Sequence, residues 1–343
     1  MTNRASLRVV CAGAGYFSEF HYDSWRRMER VTLVGSCDRD IAKANDTGLP
    51  AYGDLGTMLE EQSPDLVDII LPPTAHAEAI CTALAAGIKW IICQKPFCNN
   101  LAEARRIVAE ANSANATIIV HENFRFQPWY RAIRQALDDQ RVGDVQQATF
   151  RFRPGDGQGP RAYLDRQAYF QEMPRFLVHE TAVHWVDTFR YLFGNPLAVY
   201  ADLRKINPVI AGEDAGYILF DHPGGVRALF DGNRTLDHAA DNLRRTMGIG
   251  LIEGSEGTLT LSGDGAVRLR AFGETEETTL HPPSSWSGFG GDCVHALQSH
   301  VVSGVLIGSA LENTAEDYLT VIAIEDAIYA SAGTGRKQEL DRI

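Results

Sequence analysis

The stretch that decides the fold is Leu7-Arg8-Val9-Val10-Cys11-Ala12-Gly13-Ala14-Gly15-Tyr16-Phe17-Ser18. Its first six residues are an apolar, β-branched run that suits a strand buried on both faces. Two glycines then break the run, and Tyr16–Met28 carries apolar residues at helical spacing. A strand, a glycine turn and a helix in immediate succession are the context that gives GxGxxG its meaning. Gly13 permits the tight turn, and Gly15 lets the backbone approach a pyrophosphate seated on the helix N-terminus, where unpaired N–H groups favour anions. Ser18 stands at the third position, where a small residue preserves close helix–strand packing. Asp38 ends the next apolar run, 23 residues after Gly15, close to the roughly 20-residue offset of the acid that receives the ribose hydroxyls. A carboxylate there favours NAD, while Arg39 beside it leaves NADP open as the partner of a 2′-phosphate.

The pattern continues outward as a doubly wound half. Val31–Cys37, Val67–Leu71, Trp90–Cys93 and Thr117–His121 read as further strands, with a short one near Ala51. Leu55–Glu61, His76–Ala86 and Leu101–Asn112 read as helices between them, the last capped by Asn100. After Pro128 the texture changes to a helix, Trp129–Asp138, a strand, Val145–Arg153, and a loop rich in Gly, Pro and Arg to about Gln171. A helix, His179–Phe193, precedes alternating runs at 198–205, 217–220, 226–230, 247–253, 257–261 and 267–272, which read as antiparallel strands. Two helices, Cys293–Val302 and Ala315–Ala332, end the pattern. The expected fold is an α/β Rossmann doubly wound parallel sheet over residues 1–125, followed over 126–343 by an α+β domain with an open-faced, mostly antiparallel sheet. The C-terminal helix is placed to pack back on the first domain.

Composition narrows the partners. Among 343 residues the net charge is −12, which disfavours the clustered Lys and Arg that nucleic acid or an anionic membrane requires. Met1 to Leu7 is polar and basic, and no run of about 18 apolar residues occurs, so a cytoplasmic protein is expected. The six cysteines are scattered without a CxxC pair, so no metal site is expected. Cys11, Cys37 and Cys93 sit in strand-like runs and read as small buried hydrophobes.

Two further features point to chemistry. Lys95, in Gln94-Lys95-Pro96, follows the carboxyl end of a central strand, where ligands of open α/β sheets bind. On the helix His179–Phe193, Glu180, His184, Asp187 and Tyr191 share a stripe at spacings of four, three and four. A carboxylate one turn before His184 suits an imidazole that transfers protons. From spacing alone, a solvated helix face with an ordinary ion pair competes with that reading.

Taken in order, Gly13–Ser18, Asp38, Asp68–Leu71 leading through Pro72-Pro73-Thr74 to His76, Gln94-Lys95-Pro96 and Glu180-x-x-x-His184-x-x-Asp187 resemble the Gfo/Idh/MocA oxidoreductase family over nearly the whole chain. The resemblance implies NAD(P)-dependent transfer of a hydride to or from a carbinol carbon of a sugar, polyol or sugar acid, by a homodimer or homotetramer. It makes Lys95 the substrate-orienting lysine and His184 the proton-transferring histidine, with Glu180 orienting His184. It places Gly13, Gly15, Tyr16, Phe17, Asp38, Arg39, Pro72, Thr74, His76, Gln94, Lys95 and Asn123 beside the cofactor. Arg125, with Lys95 and His184, falls beside the substrate. Gln94 stands where Glu commonly precedes the lysine, and Pro174-Arg175 where a Gly-Gly pair is frequent. Arg153, Arg161, Arg166 and Arg175 cluster around the Gly/Pro loop, and Arg153 and Arg175 are expected to favour a substrate rich in oxygen pairs. The same residues suit two alternatives: an NAD-dependent glycosidase or lyase with transient oxidation, and a non-catalytic dinucleotide-sensing protein.

Overall fold

The computed structural model describes residues 6–340; the segment Met1–Ala5, part of the basic start on which the location was judged, lies outside them. Six strands form one parallel sheet: β1 Leu7–Ala12, β2 Val31–Cys37, β3 Ala51–Tyr52, β4 Leu66–Ile69, β5 Trp90–Gln94 and β6 Thr117–His121. Their order is β3-β2-β1-β4-β5-β6, the doubly wound order in which the chain reverses direction beside β1. The interstrand helices are α1 Ser18–Arg26, α2 Ile41–Asp46, α3 Leu55–Gln62, α4 His76–Ala85 and α5 Leu101–Ser113. Asn100 caps α5 through its side chain, which accepts the Glu103 N–H. Cys11, Cys37 and Cys93 are buried and unbridged, as expected of small hydrophobes in these strands.

After α6 Pro128–Asp138 and β7 Val145–Phe152 comes a π-helical turn, Leu177–Ala182, that runs into α7 Val183–Phe193. The strands β8 Ala198–Arg204, β9 Ala215–Asp221, β10 Arg227–Asn233, β11 Gly248–Gly254, β12 Gly257–Leu261, β13 Val267–Ala271 and β14 Glu277–His281 follow. Helices α8 Cys293–Ile307 and α9 Ala315–Thr334 precede a last strand, β15 Gln338–Glu339. The second sheet has nine strands in the order β14-β13-β12-β11-β7-β10-β9-β8-β15, antiparallel except for the parallel pair β7 and β10. One of its faces packs on α7. Trp185 is fully buried, with its ring 4.4 Å from Phe150 and 5.2 Å from both Phe152 and Phe230.

The chain divides into two compact units. One takes the described residues up to Asn123 together with Val294–Ile322; the other takes Phe124–Cys293 and the described residues from Ala323. In the first unit the segment before α9 returns to the β6 edge, where the Val120 N–H donates to Asn313 O at 2.8 Å. Among the described residues, no helix is long and apolar enough to cross a membrane.

The first glycine of the turn is obligatory. Gly13 has φ +113°, and a Cβ there would lie 2.2 Å from the carbonyl oxygen of Ile70. Gly13→Ala is therefore expected to destabilise the protein by about 1–3 kcal/mol, measured as a lowered midpoint in chemical denaturation. Gly15→Ala, whose Cβ meets nothing within 4 Å, should unfold like the wild type.

Candidate active site

The glycine turn is tied to the end of β2 on both sides. The Gly13 N–H donates to Cys37 O at 2.7 Å, and the Ala14 N–H donates to Asp38 Oδ2 at 2.9 Å. Asp38 Oδ1 accepts the Asp40 N–H at 2.9 Å, so one carboxylate is oriented by two backbone donors. Each of its oxygens keeps a second lone pair for another hydroxyl donor. Ser18, buried, donates its hydroxyl to Gly15 O at 2.6 Å and closes the first turn of α1. Its role as a stand-in for glycine is thus to seal the turn from within. Gly15 is exposed with open space on its Cβ side. Exposed backbone at a helix N-terminus, with an oriented carboxylate at the neighbouring strand end, fits a dinucleotide. Tyr16 is exposed and Phe17 half-buried at the mouth of this turn, and Arg39 is exposed beyond Asp38.

At the end of β5 the chain passes through Gln94 into Lys95, which is half-buried and joined to Pro96 by a cis peptide bond. The Lys95 N–H donates to Gln94 Oε1 at 2.8 Å, and Gln94 Nε2 lies 3.0 Å from His21 Nε2. Gln94 therefore points into the protein, and its expected contact with the cofactor is corrected to an internal one. His76 is corrected in the same way: fully buried, it sets Nε2 2.7 Å from Leu71 O and Nδ1 3.0 Å from Pro96 O and 3.2 Å from Phe97 O. Burial lowers the His76 pKa, against the pull of these three carbonyls. The imidazole fastens the turn after β4 to the turn that carries Lys95. Pro72 and Thr74 are exposed at the end of β4, whereas Asn123 is buried after β6.

In the second unit, α7 is buried nearly throughout. His184 is 7% exposed and Asp187 0%, so the competing reading of a solvated helix face is ruled out. The His184 ring is stacked on Phe124, centroids 3.8 Å apart and planes within 3°. Arg125, the next residue, holds Asp187 with a fork, Nε to Oδ2 at 2.8 Å and Nη2 to Oδ1 at 2.5 Å. Its guanidinium also lies over Tyr191, 5.3 Å from the ring centroid. The stripe expected for an α-helix holds only from Val183 onward, because Glu180 lies in the π-helical turn, where i→i+5 bonding adds a residue. Glu180 Oε2 accepts the Thr181 hydroxyl and lies 3.5 Å from Arg234 Nη1. Glu213 holds the start of that turn, its carboxylate accepting the Phe176 and Val178 N–H groups at 3.1 and 3.2 Å.

The arginines around the Gly/Pro loop each meet an aspartate of this chain. Arg153 donates to Asp231 at 2.6 Å, Arg161 to Asp165 at 2.7 Å, Arg166 to Asp156 at 3.1 Å and Arg175 to Asp326 at 3.3 Å. Arg175 also covers the Tyr329 ring at 4.3 Å. The sequence reading missed Arg234, buried against the faces of Phe152, Tyr163, Phe170 and Phe176 at 4.4–5.6 Å. Burial opposes its charge, but Asp156, Tyr163 and Glu180 raise its pKa all the same. The signal was available in hindsight, as a lone arginine just after the run read at 226–230.

Comparison with known proteins agrees with this architecture. Residues 7–122 match the family described as "Oxidoreductase family, NAD-binding Rossmann fold", and residues 130–260 match "GFO/IDH/MocA C-terminal domain". The chain is 31% identical to D-apiose dehydrogenase of Paraburkholderia graminis, over 96% of this chain and 88% of that one. It is 27% identical to D-apiose dehydrogenase of Rhizobium rhizogenes, over 98% and 99%. An Agrobacterium radiobacter oxidoreductase solved in complex with NAD+, L-tartaric acid and magnesium superposes with a TM-score of 0.88 at 26% identity, covering 97% of this chain and 98% of that one.

The Arg125–Asp187 pair yields a direct test. Arg125→Met removes the fork and leaves the buried Asp187 with Arg190 Nη1 at 3.7 Å, and should cost about 1.5–3 kcal/mol, the loss of hydrogen bonds to a charged group. Adding Asp187→Leu should restore much of that loss. Denaturant unfolding of the two single variants and the double variant measures the coupling.

Proposed function

The chain belongs to the GFO/IDH/MocA family and is an NAD-binding oxidoreductase acting on CH–OH groups, and we propose that its substrate is a sugar, polyol or sugar acid of about pentose size. Two relatives named as D-apiose dehydrogenases, similar along almost their whole length, carry the reading of the substrate. Asp38, oriented by the glycine turn, supports NAD over NADP. NAD, when bound, supplies the hydride acceptor at C4 of its nicotinamide.

The roles of the protein's own residues follow. The Gly15 backbone and the N-terminus of α1 hold the pyrophosphate, and Asp38 accepts the ribose hydroxyls. Lys95 hydrogen-bonds the substrate oxygen and stabilises it as alkoxide character develops. His184 receives the proton of that hydroxyl, its ring held flat by Phe124. Glu180 shapes the turn before it.

Assembly and location belong to the same reading, a cytoplasmic homodimer or homotetramer formed through the open face of the nine-stranded sheet. Tyr200, Leu219, Leu229 and Leu251 lie on that face of β8, β9, β10 and β11, and each is at least partly exposed. Leu219→Lys should shift the particle mass by light scattering toward the monomer.

A cofactor-coupled screen tests the activity: NAD⁺ or NADP⁺ with D-apiose and a panel of sugars, polyols and sugar acids, read by nicotinamide absorbance. Asp38→Ser should weaken NAD binding roughly tenfold, the loss of about one good hydrogen bond. Wild type preferring NADP would transfer the specificity to Arg39. Lys95→Ala and His184→Ala should each lower kcat at least about hundredfold with NAD affinity retained, and their losses should not add in the double variant. Tight NAD binding with no turnover on any panel member would leave the dinucleotide-sensing alternative.

A further inference from the structure

Beneath the Lys95 turn the first unit holds a chain of buried polar side chains outside the cofactor and substrate roles assigned above. Asp68, at 0% exposure on β4, accepts at Oδ2 from Trp25 Nε1 at 2.7 Å and Gln298 Nε2 at 3.1 Å, and meets His21 Nδ1 at 2.8 Å. His21, also 0% exposed, meets Gln94 through Nε2 at 3.0 Å. Gln94 in turn accepts the Lys95 N–H at 2.8 Å. The titratable groups facing His21 are Asp68 on β4 and His121 on β6, whose ring is 4.1 Å away.

The order of donors along this chain is determined from its outer end. A backbone N–H only donates, so the Gln94 atom facing Lys95 is the oxygen, and the atom facing His21 is the amide nitrogen, which also only donates. His21 Nε2 must then be the acceptor and carry no proton. Gln298 Nε2 lies 3.2 Å from His21 Nδ1, but it is an amide donor that shares with Nδ1 the same acceptor, Asp68 Oδ2, at 3.1 Å. The single ring proton therefore sits on Nδ1 and is donated to Asp68 at 2.8 Å, so the imidazole is neutral and in one tautomer. An imidazolium would put an N–H against the amide NH2, and turning the amide over would take the acceptor from Lys95.

We propose that Gln94 is a positioning residue: it locks His21 as the neutral Nδ1–H tautomer on Asp68 and, through that lock, fixes the backbone from which Lys95 reaches its substrate. The proposal rests on the reading of Lys95 as the substrate-orienting lysine. It deepens that reading by adding residues 21, 68 and 94 as the support of the turn.

Nitrogen-15 NMR of the His21 ring in nucleotide-free protein tests it. The expected spectrum shows Nδ1 protonated and Nε2 bare. Gln94→Glu keeps the shape but presents a carboxylate oxygen to Nε2, and His21 is expected to take up a proton and show both nitrogens protonated. Gln94→Met removes the lock, and kcat on the best panel substrate should fall roughly ten- to hundredfold while NAD affinity stays at the wild-type value. A wild-type imidazolium, an Nε2–H tautomer, an unchanged spectrum in Gln94→Glu or full kcat in folded Gln94→Met each overturns the proposal. If Gln94→Met does not fold, the Gln94→Glu spectrum decides. A wild type with the expected tautomer but no turnover on any substrate supports the relay and overturns the reading of Lys95.

Discussion

A carboxylate with no access to water must be met by donors, and Asp68 imposes that demand at the centre of the first unit. Its donors come from far apart in sequence: His21 and Trp25 from α1, and Gln298 from α8, 230 residues downstream. An ionised group left alone at that depth is strongly unfavourable, so these helices are held by something more directional than apolar burial. Apolar contact tolerates a helix rotated by a few degrees; three converging hydrogen bonds do not. The position of α1 also sets where its N-terminus meets the glycine turn, so the buried acid and the phosphate cradle share one constraint.

The second unit applies the same rule with the opposite sign. Arg234 is buried among aromatic faces and is kept charged by Asp156 and Glu180, with Tyr163 and Thr181 accepting from it at 2.7 and 2.5 Å. These partners lie in the Gly/Pro loop and in the π-helical turn before α7. The Gly/Pro-rich loop is therefore folded around a cation, with Tyr163, Phe170 and Phe176 in one buried cluster. Its other arginines are each matched by an aspartate.

What the sequence disclosed follows the range of the forces involved. The strands of the parallel sheet, the glycine turn and the Asn100 cap depend on neighbours within a few residues, and all stand where the pattern put them except that β4 runs over Leu66–Ile69 rather than Val67–Leu71 and β5 extends to Gln94. The six-residue α2 and the two-residue β15 are too short for periodicity to register, and β14 is exposed along much of its length and lacks an apolar face. Lys95 and His184 were visible as residues, but the surroundings of each were not. Gln94 and His76 look like surface polar groups beside a cofactor until the fold turns both inward. The π-helical turn hid the true setting of Glu180, because a single added residue changes which side chains share a face.

The candidate proton carrier shows how little of the chain is needed to set a side chain once the helix under it is fixed. Trp185 seats α7 on the sheet, with its indole N–H donating to Tyr130 at 3.0 Å. That leaves rotation about the helix axis to be controlled. Phe124 and Arg125 supply the control from one short turn, the ring lying flat on His184 and the guanidinium gripping Asp187 three residues further on. Positions three apart lie on the same face of an α-helix, so two adjacent residues hold that face at two points. A flat stack also leaves the ring edge, where both nitrogens lie, to hydrogen-bonding partners. A histidine that must pass a proton needs that freedom at its edge and none at its face.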